Sequence, residues 1–236
     1  MEQVQQLQDG WPPGSLDLAF SPGGRWEARN GPRNTVYFAK AFVKNVTIPF
    51  DNFTLLDVGC ALGNAIPVLR EAYPDAKLYG CDVSGVALER CAADFGHMAN
   101  FFKAGFEELS GFWDVIYCCA VLEHFKDYWK VASRLLGRCK IAYIMVPYFE
   151  LEKGKPLDAT GDHKVTFYKD SFDFLYNQGL LASPVKTKVI RCPKAWSAPW
   201  PKDTLRQIRR AVKMALFLRY FPVKGRMIIY ELHNKG

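Results

Sequence analysis

Asp57, Gly59 and Gly63 form the pattern D-x-G-x-x-x-G directly after a short apolar run. A glycine turn after a buried strand is typical of a nucleotide-like cofactor site, because glycine allows positive φ and close backbone approach. A phosphate-binding loop needs Lys and then Ser or Thr after the second glycine, whereas Asn64 and Ala65 follow Gly63. A dinucleotide fingerprint needs G-x-G-x-x-G, and its second and third glycines are absent here. The Asp57 carboxylate would also repel a pyrophosphate, so the turn favours a ligand that carries ammonium and sulfonium charges.

Three further side chains have types and positions suited to chemistry. Asp82 ends the second predicted strand, where a carboxylate suits ribose hydroxyls, although Asp82 alone would also suit a dinucleotide. His124 and His163 follow the fourth and fifth predicted strands, and the unperturbed pKa of histidine, about 6.5, suits a general base. Asp158 or Asp162 would orient the His163 imidazole. The alternatives are that His124 only shapes the pocket and that His163 is a surface-loop residue.

These residues must be positioned by strands and helices that alternate from about residue 53 onward. Seven apolar segments predict strands, at 53–58, 77–82, 99–103, 112–118, 140–147, 184–192 and 225–232. Amphipathic segments predict helices at 64–73, 84–95, 127–137 and 169–178. The alternation predicts a doubly wound α/β fold with a mostly parallel sheet, whose ligand site lies at the carboxyl ends of the strands.

Two domains and one insert are predicted around this pattern. Residues 1–50 are expected to form a helical or loop cap, in which 34–46 has the apolar spacing of a helix packed on the sheet edge. Residues 51–236 are expected to form the cofactor-binding domain. A basic helical insert is predicted at about 193–224, before the last strand.

The chain resembles the class I S-adenosylmethionine-dependent methyltransferases in four stretches: LLDVGCALGN, LYGCDVSGVALERC, FFKAGFEEL and FWDVIYCCAVLEHF. The resemblance implies a Rossmann-like methyltransferase fold with a seven-stranded sheet and an antiparallel last strand. It also implies S-adenosyl-L-methionine as the cofactor and methyl transfer as the reaction.

The same resemblance assigns cofactor contacts residue by residue. The matched positions are Asp57, Gly59, Cys60, Ala61 and Gly63 for the methionine part, Asp82 for the ribose hydroxyls, Val83, Gly105, Phe106 and Glu107 for the adenine, and Cys118 and Cys119 beside the cofactor. The family often has Gly-Asp where this chain has Ala104-Gly105, so the usual adenine contact is missing. Phe106 would stack on the adenine instead, or Glu107 would accept from it; ordinary core packing is the alternative for Phe106.

The methyl acceptor is suggested by a shorter likeness. Residues 161–172, GDHKVTFYKDSF, resemble enzymes of bacterial surface-glycan clusters. This implies O-methylation of a sugar or other small-molecule hydroxyl, with phosphorylated and lipid-linked glycans among the acceptors, and His163 and His124 as catalytic bases. One alternative is an RNA or protein methyltransferase that docks through the basic C-terminal region. Another is a cofactor-binding regulatory module without activity.

Charge and cysteine usage limit the partners. Residues 186–236 carry thirteen Lys and Arg against two acids, whereas the whole chain has a net charge of only +7. The basic segment 202–219 is therefore predicted to pack on the domain, to cover a phosphorylated acceptor or to lie on an anionic membrane. Nucleic acid is disfavoured, because no recognised RNA-binding module accompanies it. Seven cysteines without C-x-x-C pairs or His/Cys metal spacing predict reduced thiols, no metal site and a cytoplasmic protein.

Overall fold

The computed structural model describes residues 14–149, 151–152, 155–156, 163–193 and 224–236. The helices are α1 Ser15–Phe20, α2 Arg25–Ala28, α3 Gly31–Asn45, α4 Ile66–Ala72, α5 Gly85–Phe95, α6 Tyr128–Leu136 and α7 Asp173–Asn177, with a 3-10 turn at Leu122–His124. The strands are β1 Thr54–Val58, β2 Lys77–Asp82, β3 Asn100–Lys103, β4 Trp113–Cys119, β5 Cys139–Pro147, β6 Leu151–Glu152, β7 Lys155–Pro156, β8 Lys186–Pro193 and β9 Lys224–His233.

Seven of these strands form one sheet in the order β3-β2-β1-β4-β5-β9-β8. Neighbouring strands among β1 to β5 are parallel, whereas β9 is antiparallel to both β5 and β8. The predicted mostly parallel seven-stranded sheet with an antiparallel last strand is therefore confirmed. Among the described residues, β6 and β7 form a separate two-stranded sheet.

The central strands are apolar along their length because helices cover both faces of the sheet. Leu55 of β1 and Val115 of β4 pack into the core on one face. Their neighbours Leu56 and Ile116 pack into the core on the other face. This alternation fixes which side chains of each strand point toward which layer of helices.

Two helices lie elsewhere than expected. The helix α3 packs over the centre of the sheet rather than its edge, since the Phe42 ring contacts Tyr117 of β4 and Tyr143 of β5, at centroid distances of 4.6 and 5.4 Å. The helix predicted from residue 169 begins only at Asp173. A turn takes its place, because the Ser171 hydroxyl accepts a hydrogen bond of 2.8 Å from the backbone N–H of Tyr168.

Helices α1 and α2 are held against α5 by polar contacts. The Asp17 carboxylate of α1 accepts a hydrogen bond of 2.5 Å from the Ser84 hydroxyl, and Ser84 also caps α5 by accepting from the Ala87 N–H. Arg90 of α5 donates to the Phe20 carbonyl at 2.7 Å and forms an ion pair with Glu27. Within the described ranges, none of the helices has the length and apolar character needed to cross a membrane.

Candidate functional site

A cavity of about 390 Å³ opens at the carboxyl ends of β1, β2, β4 and β5. Ligand pockets in proteins commonly have volumes of roughly 300–1,000 Å³. The sequence-predicted site residues that line it are Asp57, Gly59, Cys60, Ala61, Asp82, Val83, Gly105, Phe106, Cys119, His124 and His163. The chain therefore brings most of the predicted cofactor residues and both histidines into one space.

The glycine turn after β1 is shaped by backbone conformation and by the next loop. Gly59 has φ +72°, and a Cβ at this position would lie 2.6 Å from Cγ2 of Val121, which follows β4. Ala61, at the centre of the turn, also has positive φ, 49°. Such backbone conformations are strained for residues other than glycine and cluster at ligand sites. The turn can thus pass close to both the β4 loop and a ligand.

Asp82 holds this turn in place. Its Oδ2 accepts a hydrogen bond of 2.9 Å from the backbone N–H of Ala61, and its Oδ1 accepts one of 3.0 Å from the N–H of Ser84. Burial raises the pKa of Asp82, and these backbone donors oppose that rise. Each carboxylate oxygen has a further lone pair, so the group can still accept from a ligand hydroxyl.

Asp57 is buried beside Asp82, with only 3% of its surface exposed. Burial, with a smaller contribution from the negative charge of Asp82, raises the pKa of Asp57 to about 8. The Asp57 carboxyl is therefore largely protonated at neutral pH until a positive charge enters the cavity. A ligand cation would favour its ionised form.

Gly63 and Cys118 do not line the cavity, although both were assigned to the cofactor. Gly63 has φ +70°, and a Cβ there would lie 3.0 Å from Sγ of Cys91 and 3.1 Å from Cδ2 of Phe95, so this glycine lets the turn pack on α5. Cys118 is fully buried in the core on the opposite face of β4 from Cys119. Side chains alternate along a strand, so only Cys119 of this pair points to the cavity.

The segment after β3 is also arranged differently from the assignment. Glu107 forms an ion pair with Arg134 of α6 and does not line the cavity, so it is not placed to accept from the adenine. Phe106 does line the cavity, and its ring contacts Phe125 edge to face at a centroid distance of 5.1 Å. Together these two rings form an aromatic wall that can contact a flat ligand.

His124 and His163 meet in the cavity although they are far apart in the sequence. Their rings are edge to face, with centroids 5.1 Å apart. The backbone N–H of Lys164 donates to the carbonyl of Glu123 at 2.6 Å, which fixes the segment after β5 against the turn after β4. Glu123 lines the cavity beside the two histidines. Asp158 and Asp162, expected to orient His163, lie outside the described residues, as do residues 194–223 of the basic insert.

Many other residues line the cavity although the sequence assigned them no contact with the cofactor or the acceptor. Some come from α1 to α3 and the turns between them, and others from the strands and loops of the sheet: Leu16, Ala19, Phe20, Arg25, Trp26, Arg29, Gly31, Asn34, Thr35, Phe38, Val58, Ala65, Ala104, Tyr117, Ala120, Val121, Glu123, Phe125, Pro147 and Met227. The pattern around residues 15–35 has no motif that points to a ligand. Only the docking of α1 and α2 on α5 brings these residues over the glycine turn.

The amino-acid sequence of this chain is similar to known methyltransferases. A sequence profile described as a methyltransferase domain matches residues 29–159. Trans-aconitate 2-methyltransferase of Deinococcus radiodurans is 30% identical over 81 residues, which are 34% of this chain and 31% of that protein. This likeness thus covers less than a third of the length of that relative.

Solved structures with the same fold are also methyltransferases. The plantazolicin methyltransferase BpumL, in complex with SAH, is similar with a TM-score of 0.56 and 18% identity, over 99% of this chain and 98% of that one. Magnesium protoporphyrin IX methyltransferase from Synechocystis PCC 6803, with bound SAH, has a TM-score of 0.56 and 12% identity, over 88% of this chain and 86% of that one. A third similar chain comes from the Haloferax volcanii complex between the Trm112 methyltransferase activator and a methyltransferase. Its TM-score is 0.62 and its identity 14%, over 94% of this chain and 98% of that one.

Proposed function

The chain belongs to the methyltransferase-domain family of S-adenosylmethionine-dependent enzymes, and from that premise we propose that it methylates a hydroxyl group of a small-molecule acceptor. A sugar is the first candidate for this acceptor, because residues 161–172 resemble the corresponding loop of glycan-modifying enzymes. The observation that carries the proposal is the placement of two buried carboxylates and two histidines around one cavity.

The cofactor would occupy the part of the cavity next to β1 and β2. Asp57 would face the ammonium and sulfonium charges of the methionine part, and Asp82 would accept from the ribose hydroxyls. Val83 and the Phe106–Phe125 wall are placed for the adenine, where apolar and aromatic surface replaces the missing acidic contact. Gly59 and Ala61 would bring the backbone close to the methionine part.

Methyl transfer from a sulfonium needs alignment more than activation of the cofactor. The acceptor oxygen attacks the methyl carbon in line with the breaking C–S bond, and the electron pair of that bond stays on sulfur. A hydroxyl acceptor must also lose its proton. His124 and His163 line the cavity with their rings in contact; we take the end that they occupy as the acceptor end and assign the activation of the hydroxyl to them.

Calorimetric titration with S-adenosylmethionine and S-adenosylhomocysteine tests the cofactor site. We expect one equivalent to bind, and we expect Asp82→Asn to weaken binding roughly 10- to 100-fold, since a hydrogen bond to a charged group contributes about 1.5–3 kcal/mol. Asparagine keeps one acceptor oxygen for the turn but turns its amide NH2 toward the other backbone N–H, so circular dichroism must first show that the variant is folded. A protein that is folded by circular dichroism and binds neither compound would contradict the proposal.

The acceptor is tested with methyl-labelled cofactor against separate pools of nucleotide sugars, lipid-linked glycans, carboxylic acids, RNA and protein. We expect label in a sugar-containing pool. His124→Asn and His163→Asn, made separately, should leave cofactor affinity intact, and at least one should slow turnover. Label found only in RNA or protein would instead favour docking through the basic segment 202–219.

A small carboxylate is a second candidate acceptor, supported by two arginines. Arg25 and Arg29 line the cavity from α2 and the turn after it, and a guanidinium can hold a carboxylate through two parallel hydrogen bonds. A relative is named for methyl transfer to trans-aconitate. Label in the carboxylic-acid pool, lost when Arg25 and Arg29 are replaced by Gln, would favour this candidate over the hydroxyl.

A further inference from the structure

We propose that Glu123, His124 and His163 bind a divalent transition-metal ion at the acceptor end of the cavity. Each of the three side chains offers one ligand atom, and these atoms all lie within 4.8 Å of one another. The three residues also line the cavity that holds the predicted cofactor site, so an ion bound there would be open to a small molecule.

The three ligands are held together by backbone structure rather than by chance contact on a surface. Glu123 and His124 belong to the 3-10 turn that follows β4, and only 1% of the Glu123 surface is exposed. His163 is brought to this turn by the 2.6 Å hydrogen bond from the Lys164 N–H to the Glu123 carbonyl. The main chain thus presents the carboxylate and both imidazoles from two sides of the same space.

The ligand set suits a transition metal better than magnesium. Imidazole nitrogen is a preferred ligand of Zn²⁺, Fe²⁺, Co²⁺ and Ni²⁺, and two histidines with one carboxylate form known open sites for such ions. Bonds of about 2.1 Å place ligand atoms about 3.0–3.5 Å apart, which small rotations of the three side chains would supply. The edge-to-face arrangement of the rings, 76° between planes, lets a nitrogen of each ring approach one point.

An ion held by three protein ligands keeps positions open for the acceptor. This role rests on the proposed function: an acceptor hydroxyl that binds the ion has a lowered pKa, loses its proton to water and attacks the methyl carbon as an alkoxide. The O–C bond forms, the C–S bond breaks, and the sulfonium becomes a neutral thioether. The imidazoles then activate the hydroxyl as ligands of the ion, and the metal dependence of turnover separates this from direct proton removal by histidine.

The site itself is tested without any methyl transfer. The full chain is treated with a chelator, dialysed, and titrated with Mn²⁺, Zn²⁺ or Mg²⁺ alone, by calorimetry and, for Mn²⁺, by electron paramagnetic resonance. We expect one equivalent of Zn²⁺ to bind, Mn²⁺ to bind the same site more weakly, and Mg²⁺ to bind at least about 10-fold more weakly than Zn²⁺. His163→Asn, which removes an imidazole ligand, and Glu123→Gln, which removes the negative charge of the carboxylate ligand, should each weaken binding by roughly 100-fold, since loss of an outer-shell partner alone costs about 10–100-fold.

The chain offers a matched control, since it has four histidines and two lie elsewhere. The double variant His97→Asn/His233→Asn removes an exposed histidine and the imidazole that pairs with Glu231. It should leave the stoichiometry and affinity of metal-ion binding unchanged. The proposed site would be overturned if the wild-type protein bound no metal ion, or if the His163 and Glu123 variants bound the ion as tightly as wild type. If chelated protein methylates a hydroxyl at the full rate and binds no ion, the proposed function stands and the metal site fails. If the ion binds and no hydroxyl is methylated, the site stands and the proposed function fails.

Discussion

The burial of Asp57 beside Asp82 is unfavourable for the protein without its cofactor. Two largely buried carboxylates near the ends of neighbouring strands destabilise each other when both are ionised. Such an arrangement is expected where the missing stabilisation comes from a cationic ligand, and it illustrates how a binding site lowers the stability of the empty protein. The energetic consequences at Asp57 can be measured.

We predict that Asp57→Asn stabilises the cofactor-free protein and weakens S-adenosylmethionine binding. The folded protein keeps a proton on Asp57 that the unfolded chain has released between about pH 4 and 8, so the free energy of unfolding of wild type falls as pH rises through this range. The amide has no such dependence. In urea unfolding, the free energy of unfolding of Asp57→Asn should exceed that of wild type by about 1–3 kcal/mol at pH 8, and this difference should shrink toward pH 5.

Asp114→Asn is the matched control, with the opposite sign expected. Burial raises the pKa of Asp114, but hydrogen bonds from Lys140 and Thr54 outweigh it and hold that pKa below its ordinary value. Asp114 therefore stabilises the protein above the pKa of the unfolded chain, and this stabilisation is lost as pH falls. Asp114→Asn should lower the free energy of unfolding at pH 7 and leave cofactor affinity unchanged. Equal effects of the two substitutions would contradict the role of Asp57.

A second prediction at this scale concerns the pH dependence of cofactor affinity. If the cofactor cation binds to ionised Asp57, its affinity should rise about tenfold per pH unit below 8 and level off above it. Burial raises the pKa values of the neighbouring Tyr117 and Cys119, so these groups stay neutral over this range. Calorimetry in two buffers of different ionisation enthalpy should show the release of about one proton near pH 7. An affinity independent of pH, or a slope that persists in Asp57→Asn, would refute the linkage.

At the scale of elements, the sequence predicts the seven strands of the large sheet because each has a clear local signal, whereas the two-residue strands β6 and β7 were not predicted. The end of β1 at Val58 and of β2 at Asp82 follows from apolar runs closed by an acid and a glycine turn. The sequence predicts less well which side chains of those elements face the cavity. The choice between Cys118 and Cys119 depends on the twist and burial of β4 in the folded sheet, and the packing of Gly63 on α5 depends on a contact that is distant in sequence.

The turn after β1 gives the prediction that belongs to this scale. Gly59→Ala should destabilise the protein by about 2–4 kcal/mol, because positive φ costs an L-residue about 1–2 kcal/mol and the new methyl group would meet Val121. Adding Val121→Ala should remove the clash and recover part of this loss, giving a coupling of about 1 kcal/mol in a double-mutant cycle. Urea unfolding of the four proteins measures it.

Gly85→Ala serves as the control for the glycine turn. Gly85 is the first residue of α5, and in the part of the chain that the structure describes no atom would lie within 4 Å of a Cβ there. Alanine at that position should leave stability unchanged or raise it by up to about 1 kcal/mol, since glycine is the poorer helix former. If Gly59→Ala behaved like Gly85→Ala, the steric account of the turn would be wrong.

At the scale of the whole molecule, the cavity is closed by parts that are remote in the sequence. The sheet contributes the carboxyl ends of its central strands, whereas α1 and α2 contribute Leu16, Phe20 and Trp26 to the opposite wall. Sequence patterns predict the first contribution, because parallel strands end at one edge. They do not predict the second, because the docking of short helices depends on individual hydrogen bonds with α5 rather than on a repeating pattern.

The last prediction concerns this docking. Arg90→Ala removes both the hydrogen bond to the Phe20 carbonyl and the ion pair with Glu27, so α1 and α2 should separate more often from α5. Arg90 and Glu27 are partly buried at the protein surface, where an ion pair contributes about 0–1 kcal/mol, so global stability should change little. Hydrogen exchange of residues 15–28 should instead increase, and S-adenosylmethionine should dissociate several-fold faster, since local opening uncovers the cavity wall. Lys130→Ala, which removes the exposed ion pair with Asp127 on α6, should change neither rate. Faster exchange with unaltered cofactor dissociation would show that these helices cover the cavity without retaining the ligand.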